Sequence, residues 1–172
     1  ESIVASGVNS SKPHAEPGNK KIEAGDFVTM DFGCVYKGYC SDMTRTVVVG
    51  KASEKQKEIY NTVLRAQQAV LDMLKPGMPG KEYDKVARDV IYGAGYEGYF
   101  GHGLGHGVGL EIHENPRFSM IEEDIIEAGM IMTVEPGIYL PDFGGVRIED
   151  MVVMTADGYD NLTHSRKDLI EL

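Results

Sequence analysis

Two stretches of this chain, IEAGDFVTMDFG (22–33) and IEAGMIMTVEPG (126–137), align without a gap at an offset of 104 residues. Six of the twelve positions are identical, and Asp31 in the first copy falls on Glu135 in the second. Each copy then runs through a turn to another acid: Asp42 lies eleven residues after Asp31, and Glu149 fourteen after Glu135. AG-x3-T is a common way to enter a strand, but carboxylates in register make coincidence the weaker explanation. A period this long excludes a solenoid. It predicts two related β units facing each other.

The first unit has a hairpin geometry that follows from its residues. FVTMDFGCVY (27–36) and YCSDMTRTVVVG (39–50) are rich in β-branched and aromatic residues and flank Lys37-Gly38, a two-residue turn. In that register Gly33 lies opposite Asp42 and Cys34 faces Ser41. Side chains alternate along a strand, so Asp31 and Asp42 project from one face as diagonal neighbours. Two bare carboxylates that close repel each other. A divalent cation removes the conflict, and with Glu135 and Glu149 added, four negative charges call for more than one.

Outward from the repeat, the period of the sequence changes. SIVASGV (2–8) reads as a short buried strand before the polar turn NSSKPH. Ser53 with Gln56 forms a capping box, followed by Ile59, Val63, Ala66, Val70 and Leu74 at helical spacing. Lys75-Pro76-Gly77 stops that helix. A second helix is expected over 81–92, with Tyr83, Val86, Ala87, Val90 and Ile91 inward, ending near Gly93 and Gly95. The charges on both helices read as solvated faces. Strands return at 106–113, 130–138 and 146–154, so the class is α+β.

Composition narrows the partners. With 172 residues and 42% of them hydrophobic, the chain reads as one domain without a membrane-length apolar run. Seventeen Lys and Arg against 27 Asp and Glu give a net charge of −10, which repels nucleic acid. Two cysteines, Cys34 and Cys40, make no disulfide framework, and with no signal peptide in view the expected compartment is the cytoplasm. The chain opens on an apolar run without an initiator, so it is expected to be a fragment of something longer.

Three of the five histidines sit in GHGLGHGVGLEIHENP (101–116) among five glycines. His102 and His106 have the spacing of a helical zinc pair, but each glycine costs a helix interior roughly 1 kcal/mol. An extended, glycine-relieved strand fits better, offering a nitrogen ligand beside the acids.

These segments, with TVEPGIY (133–139), GVRIEDM (145–151) and DFG…SDMTRT (31–46), closely resemble the pita-bread metallopeptidases. That family includes aminopeptidase P, prolidase, methionine aminopeptidase and the non-metal enzyme creatinase. The resemblance spans essentially the whole chain and implies a pita-bread fold with pseudo-two-fold halves. By resemblance, Asp31 and Asp42 bind one metal, His106 and Glu135 the other, and Asp42 and Glu149 bridge them. The implied ions are Mn²⁺ first, with Co²⁺, Fe²⁺ or Zn²⁺ as alternatives, and the implied attacking group is a hydroxide shared between them. Glu135 is implied as the proton carrier. His14, His102 and His113 are implied to hold substrate and stabilise the oxyanion, and Arg147 to orient a site acid. His14 has no other tie to the site within the sequence, and His164 reads as a surface histidine.

VRIED and GLEIHE point to the proline-directed branch. The expected reaction is hydrolysis of an Xaa-Pro bond, with aminopeptidase P preferred, and prolidase or methionine aminopeptidase as alternatives. The different-class alternative is a non-catalytic peptide-binding module, disfavoured because all five ligand positions are present. One departure stands out: the first unit lacks the helix pair that precedes the second. The expectation is an amino-terminally truncated catalytic domain (1–172), with an apolar patch left bare, reduced or no activity, and homo-oligomerisation as one way to cover that face.

Overall fold

The computed structural model describes residues 2–172. β1 (Ile3–Ser6) is shorter than the 2–8 strand expected, because Gly7 turns to φ 54° and a 3-10 helix (Gly7–Ser11) follows. Nor is it buried throughout, since Val4 is 62% exposed. β2 (Phe27–Phe32), β3 (Val35–Tyr36), β4 (Tyr39–Cys40) and β5 (Met43–Val48) come next. Tyr36 pairs with Tyr39 across Lys37 and Gly38, both at positive φ, so the turn is the two-residue type expected. Asp31 pairs with Thr44, leaving Asp42 diagonal to it. Gly33 is needed there: a Cβ in its place would stand 1.7 Å from the Ser41 carbonyl oxygen.

α1 (Glu54–Met73) begins with both hydrogen bonds of the Ser53–Gln56 capping box. It buries Ile59, Val63, Ala66 and Val70 completely. α2 (Gly80–Gly93) packs beside it. Here one expectation fails, because not every helix charge is solvated: Asp84 and Arg88 are buried and paired at 2.6 Å.

The second unit follows as β6 (Gly105–Gly107), β7 (Glu114–Phe118), β8 (Ile131–Val134), β9 (Gly137–Leu140), β10 (Gly144–Arg147), β11 (Asp150–Met154) and β12 (Tyr159–Asn161). The single strand expected at 106–113 is therefore β6 alone, which shifts register after His106. The expected strands at 130–138 and 146–154 each break, at Glu135-Pro136 and at Ile148-Glu149.

One sheet has the order β1-β2-β5 and the other β12-β11-β8-β6-β7, all antiparallel. The repeat is thus visible in topology. β2 and β8 are both flanked on two sides, and in each unit an acid follows or ends the central strand. A hairpin comes next, β3–β4 or β9–β10, and then a second acid leads into β5 or β11. The halves are stitched together where Thr29 and Thr46 meet the backbone of Gly145 and Arg147. Arg45 on β5 adds an ion pair to Asp150 on β11 at 2.8 Å. Among the described residues, a helix pair precedes β6 and none precedes β1. The outward side of the first sheet leaves Val4 and Phe32 exposed. No described helix is long and apolar enough to cross a membrane.

Candidate metal centre

The five expected ligands come from both units and line one cleft of about 580 Å³. Three of them, Asp42, His106 and Glu149, place donor atoms within 4.8 Å of one another. Glu135 joins through a 3.1 Å contact from its Oε1 to His106 Nε2, and Asp42 Oδ2 lies 3.8 Å from the same nitrogen. Asp31 is beside Asp42 but turns one oxygen to Arg147, 2.6 Å away.

Each donor is aimed by a partner. The His106 Nδ1–H donates to the Gly107 carbonyl at 2.9 Å, which turns Nε2 toward the acids. Thr133 donates to Glu135 at 3.0 Å and accepts the His106 backbone N–H at 3.0 Å. Thr44 donates to Glu149 Oε2 at 2.6 Å. The other oxygen of Glu149 is buried with no hydrogen-bond partner. A buried acceptor left bare costs about 1–3 kcal/mol, more if charged, so this atom is placed for something the protein itself does not supply.

The electrostatics agree. Burial, then the charges of Asp31 and Glu135, push the Asp42 carboxyl up to about 7. Burial raises Glu149 well above the usual carboxylate range, with Glu135 and Asp42 adding to it. Burial acts to raise Glu135 as well, but the His106 hydrogen bond and the charge of Arg147 hold that carboxyl low. Four carboxylates thus share one fixed cation, Arg147, and cannot all ionise without more positive charge. One imidazole with several carboxylate oxygens is a donor set for Mn²⁺, Fe²⁺ or Co²⁺. The residues fit divalent metal binding.

The remaining candidates fall into two groups. Arg147 donates to Asp31 and to Tyr139 and lies 4.0 Å from Glu135. His102 has both ring nitrogens engaged, Nδ1 with the Gly103 carbonyl and Nε2 with the Tyr139 hydroxyl, each at 2.7 Å. Since Arg147 donates to that hydroxyl, Tyr139 donates in turn to His102 Nε2, and the ring carries its proton on Nδ1. Burial lowers the His102 pKa and keeps the ring neutral. Burial also pushes Tyr139 up to about 12, so it stays a donor. His113 is exposed, its ring edge-on to that of His106 at 4.3 Å between centroids. His14 is exposed and lines the cleft, a tie the sequence did not offer. His164 is exposed on the carboxy-terminal tail.

Several residues that fasten the site escaped the sequence reading. Thr133 could have been found, since it is the shared threonine of the repeat, with Thr29 as its counterpart. Tyr139 lies within the quoted TVEPGIY. Arg88 gave no signal: it donates to the carbonyls of Phe100 and His102 at 2.8 and 2.6 Å, while Asp84 accepts the Leu104 N–H. The buried pair on α2 thereby braces the loop that carries His102.

Residues 1–156 match the model of metallopeptidase family M24. An Xaa-Pro dipeptidase of Pyrococcus horikoshii is 51% identical over 170 residues, covering 99% of this chain and 48% of the relative. Among solved structures, the Xaa-Pro dipeptidase from Bacillus anthracis matches with a TM-score of 0.97 and 54% identity, over 99% of this chain and 48% of that one. The X-Pro aminopeptidase from Thermotoga maritima matches with a TM-score of 0.96 and 43% identity, over 99% and 49%. The chain spans about half the length of these relatives. Its architecture is that of the pita-bread fold. The chain belongs to metallopeptidase family M24.

Proposed function

We propose that this chain carries the dinuclear centre of a peptidase that hydrolyses the bond between an amino-terminal residue and proline. The observation that carries the reading is the convergence of four carboxylates and one imidazole from two repeated units, with Glu149 Oε1 buried and unpartnered. Asp31 and Asp42 would hold one divalent ion, His106 and Glu135 the other, with Asp42 and Glu149 shared. Bound there, the ions supply Lewis acidity and lower the pKa of a water toward neutrality; Mn²⁺ suits the donors best.

The chain's own residues do the rest. Glu135 is kept ionised by His106 and Arg147, so it can accept a proton from water. The prolyl nitrogen of the substrate has no hydrogen of its own, and must be protonated as the bond breaks. Glu135 is the group placed to return the proton. His113, exposed beside His106, is positioned to donate to the developing oxyanion, and His14 faces the same cleft from the first unit. His102 acts through Tyr139 and Arg147 by holding their orientation.

The test is metal content by emission spectroscopy, followed by Mn²⁺-dependent cleavage of an Xaa-Pro dipeptide and an Xaa-Pro-Yaa tripeptide. Two ions per chain and cleavage of at least one substrate are expected. Dipeptide cleavage alone selects prolidase, the activity named for two of the relatives above; tripeptide cleavage alone selects aminopeptidase P. Absence of bound metal ends the dinuclear reading, and cleavage of Met-Ala-Ser overturns the proline assignment.

A further inference from the structure

Gln67 lies in the middle of α1, fully buried among core residues. It stands outside the cleft lining and forms no hydrogen bond to any of the five candidate ligand side chains. Its side-chain amide nitrogen nonetheless donates to two backbone carbonyls at once, Val134 at 3.1 Å and Ile148 at 3.3 Å. Val134 immediately precedes Glu135, and Ile148 immediately precedes Glu149.

Those carbonyls belong to the same planar peptide units as the N–H groups of the two acids, and in a trans peptide the two groups point in opposite directions. Both N–H groups are also engaged. Glu135 donates to the Leu104 carbonyl at 2.8 Å, and Glu149 to the Thr44 carbonyl at 3.1 Å. Each acid therefore hangs from a peptide plane pinned at both ends, and one amide group supplies the inner pin for both planes. Both acids sit where a strand breaks, so the regular ladder does not fix these planes unaided.

The other half of the Gln67 amide sharpens the point. Its Oε1 is buried without a hydrogen-bond partner. A fully buried, half-satisfied amide is a poor choice for core packing alone, where leucine or methionine leaves nothing bare. The reverse placement of the amide would set an oxygen against two carbonyl oxygens, so the nitrogen is the atom that faces the acids' strands.

We infer that Gln67 is a positioning residue that sets the relative orientation of Glu135 and Glu149, and so governs how tightly the two-metal centre closes. This rests on the reading of those acids as ligands given above. Rotation of either peptide plane would swing its carboxylate, and the shared amide couples the two.

The experiment is a titration of the metal-free full chain with Mn²⁺ by calorimetry, and with Co²⁺ followed by its visible absorption. It compares wild type, Gln67→Met, Gln67→Glu and Val63→Ala. Methionine fills similar space but donates nothing; glutamate is isosteric and donates at most one O–H bond. Val63 is equally buried, one turn earlier on the same helix, and serves as the packing control. Loss of an outer hydrogen bond to a ligand assembly weakens metal binding by about 10- to 100-fold. That loss, with a changed Co²⁺ spectrum, is expected in whichever Gln67 variants fold. Val63→Ala should lose stability yet bind within about twofold of wild type on this account. Wild-type affinity and spectrum in either Gln67 variant would overturn the inference, as would equal weakening in Val63→Ala. Failure of wild type itself to bind metal would instead remove the reading on which it rests.

Discussion

The two β units follow one plan and treat it differently. In the first, the hairpin between the acids stands in solvent, with Val35, Tyr36 and Tyr39 between 61% and 71% exposed. In the second, the corresponding hairpin is core, with Ile138 and Val146 fully buried. The acids differ in the same sense. Asp31 is half-buried and pairs with Arg147, whereas Glu135 and Glu149 are fastened by Thr133, by Thr44 and, through the backbone just before them, by Gln67. The repeated plan explains how four acids meet. The difference assigns rigidity to the second unit and access to the first.

This contrast can be broken most forcefully at the acids. Glu149→Ala is expected to abolish two-metal binding and lower the hydrolysis rate by about 10³-fold or more, equivalent to about 4 kcal/mol of transition-state stabilisation. Asp31→Ala should leave one ion per chain. Emission spectroscopy on both variants decides it, and equal metal loss would erase the distinction between the units. Next come the hairpins. Ile138→Ala should destabilise the chain by about 2–5 kcal/mol in urea unfolding, as buried large-to-small substitutions do. His113→Ala, at an exposed ring packed edge-on against that of His106, should retain both ions and lose about 10- to 100-fold in rate, or about 1.4–2.7 kcal/mol. Depletion of metal in that variant would move His113 from substrate to centre. Smallest of all, Tyr36→Ala at the exposed hairpin should change stability by no more than about 0.5 kcal/mol. A larger loss there would mean that the first hairpin is packed against something in solution.

Much of the centre was legible because its rules are local. The offset between the repeats put Asp31 on Glu135. The Lys37-Gly38 turn then fixed the register that makes Asp42 the diagonal neighbour of Asp31, and the capping box placed the start of α1. What the sequence hid was set by tertiary contacts. Apolar alternation runs across Glu135-Pro136 and Ile148-Glu149 without a pause, although the strands break at both to deliver the acids. The strand at 114–118 carries Pro116, which is tolerated because β7 lies at the edge of its sheet, where a missing donor is no loss. Asp84 and Arg88 have the spacing of an ordinary exposed helix pair. They turn inward because the loop at 100–104 presents carbonyls and an N–H that need partners. Gln67 was hidden for the same reason, a polar residue on an apolar stripe whose partners are backbone atoms far along the chain.

Gly33 carries a consequence of its own. With only a hydrogen there, the strands bearing Asp31 and Asp42 close to a gap that no methyl group can occupy. Alanine at this position would prise Ser41, and with it Asp42, away from its neighbouring acid. The pairing of these two acids can thus be undone by adding one carbon atom to a residue that has no charge and no side chain.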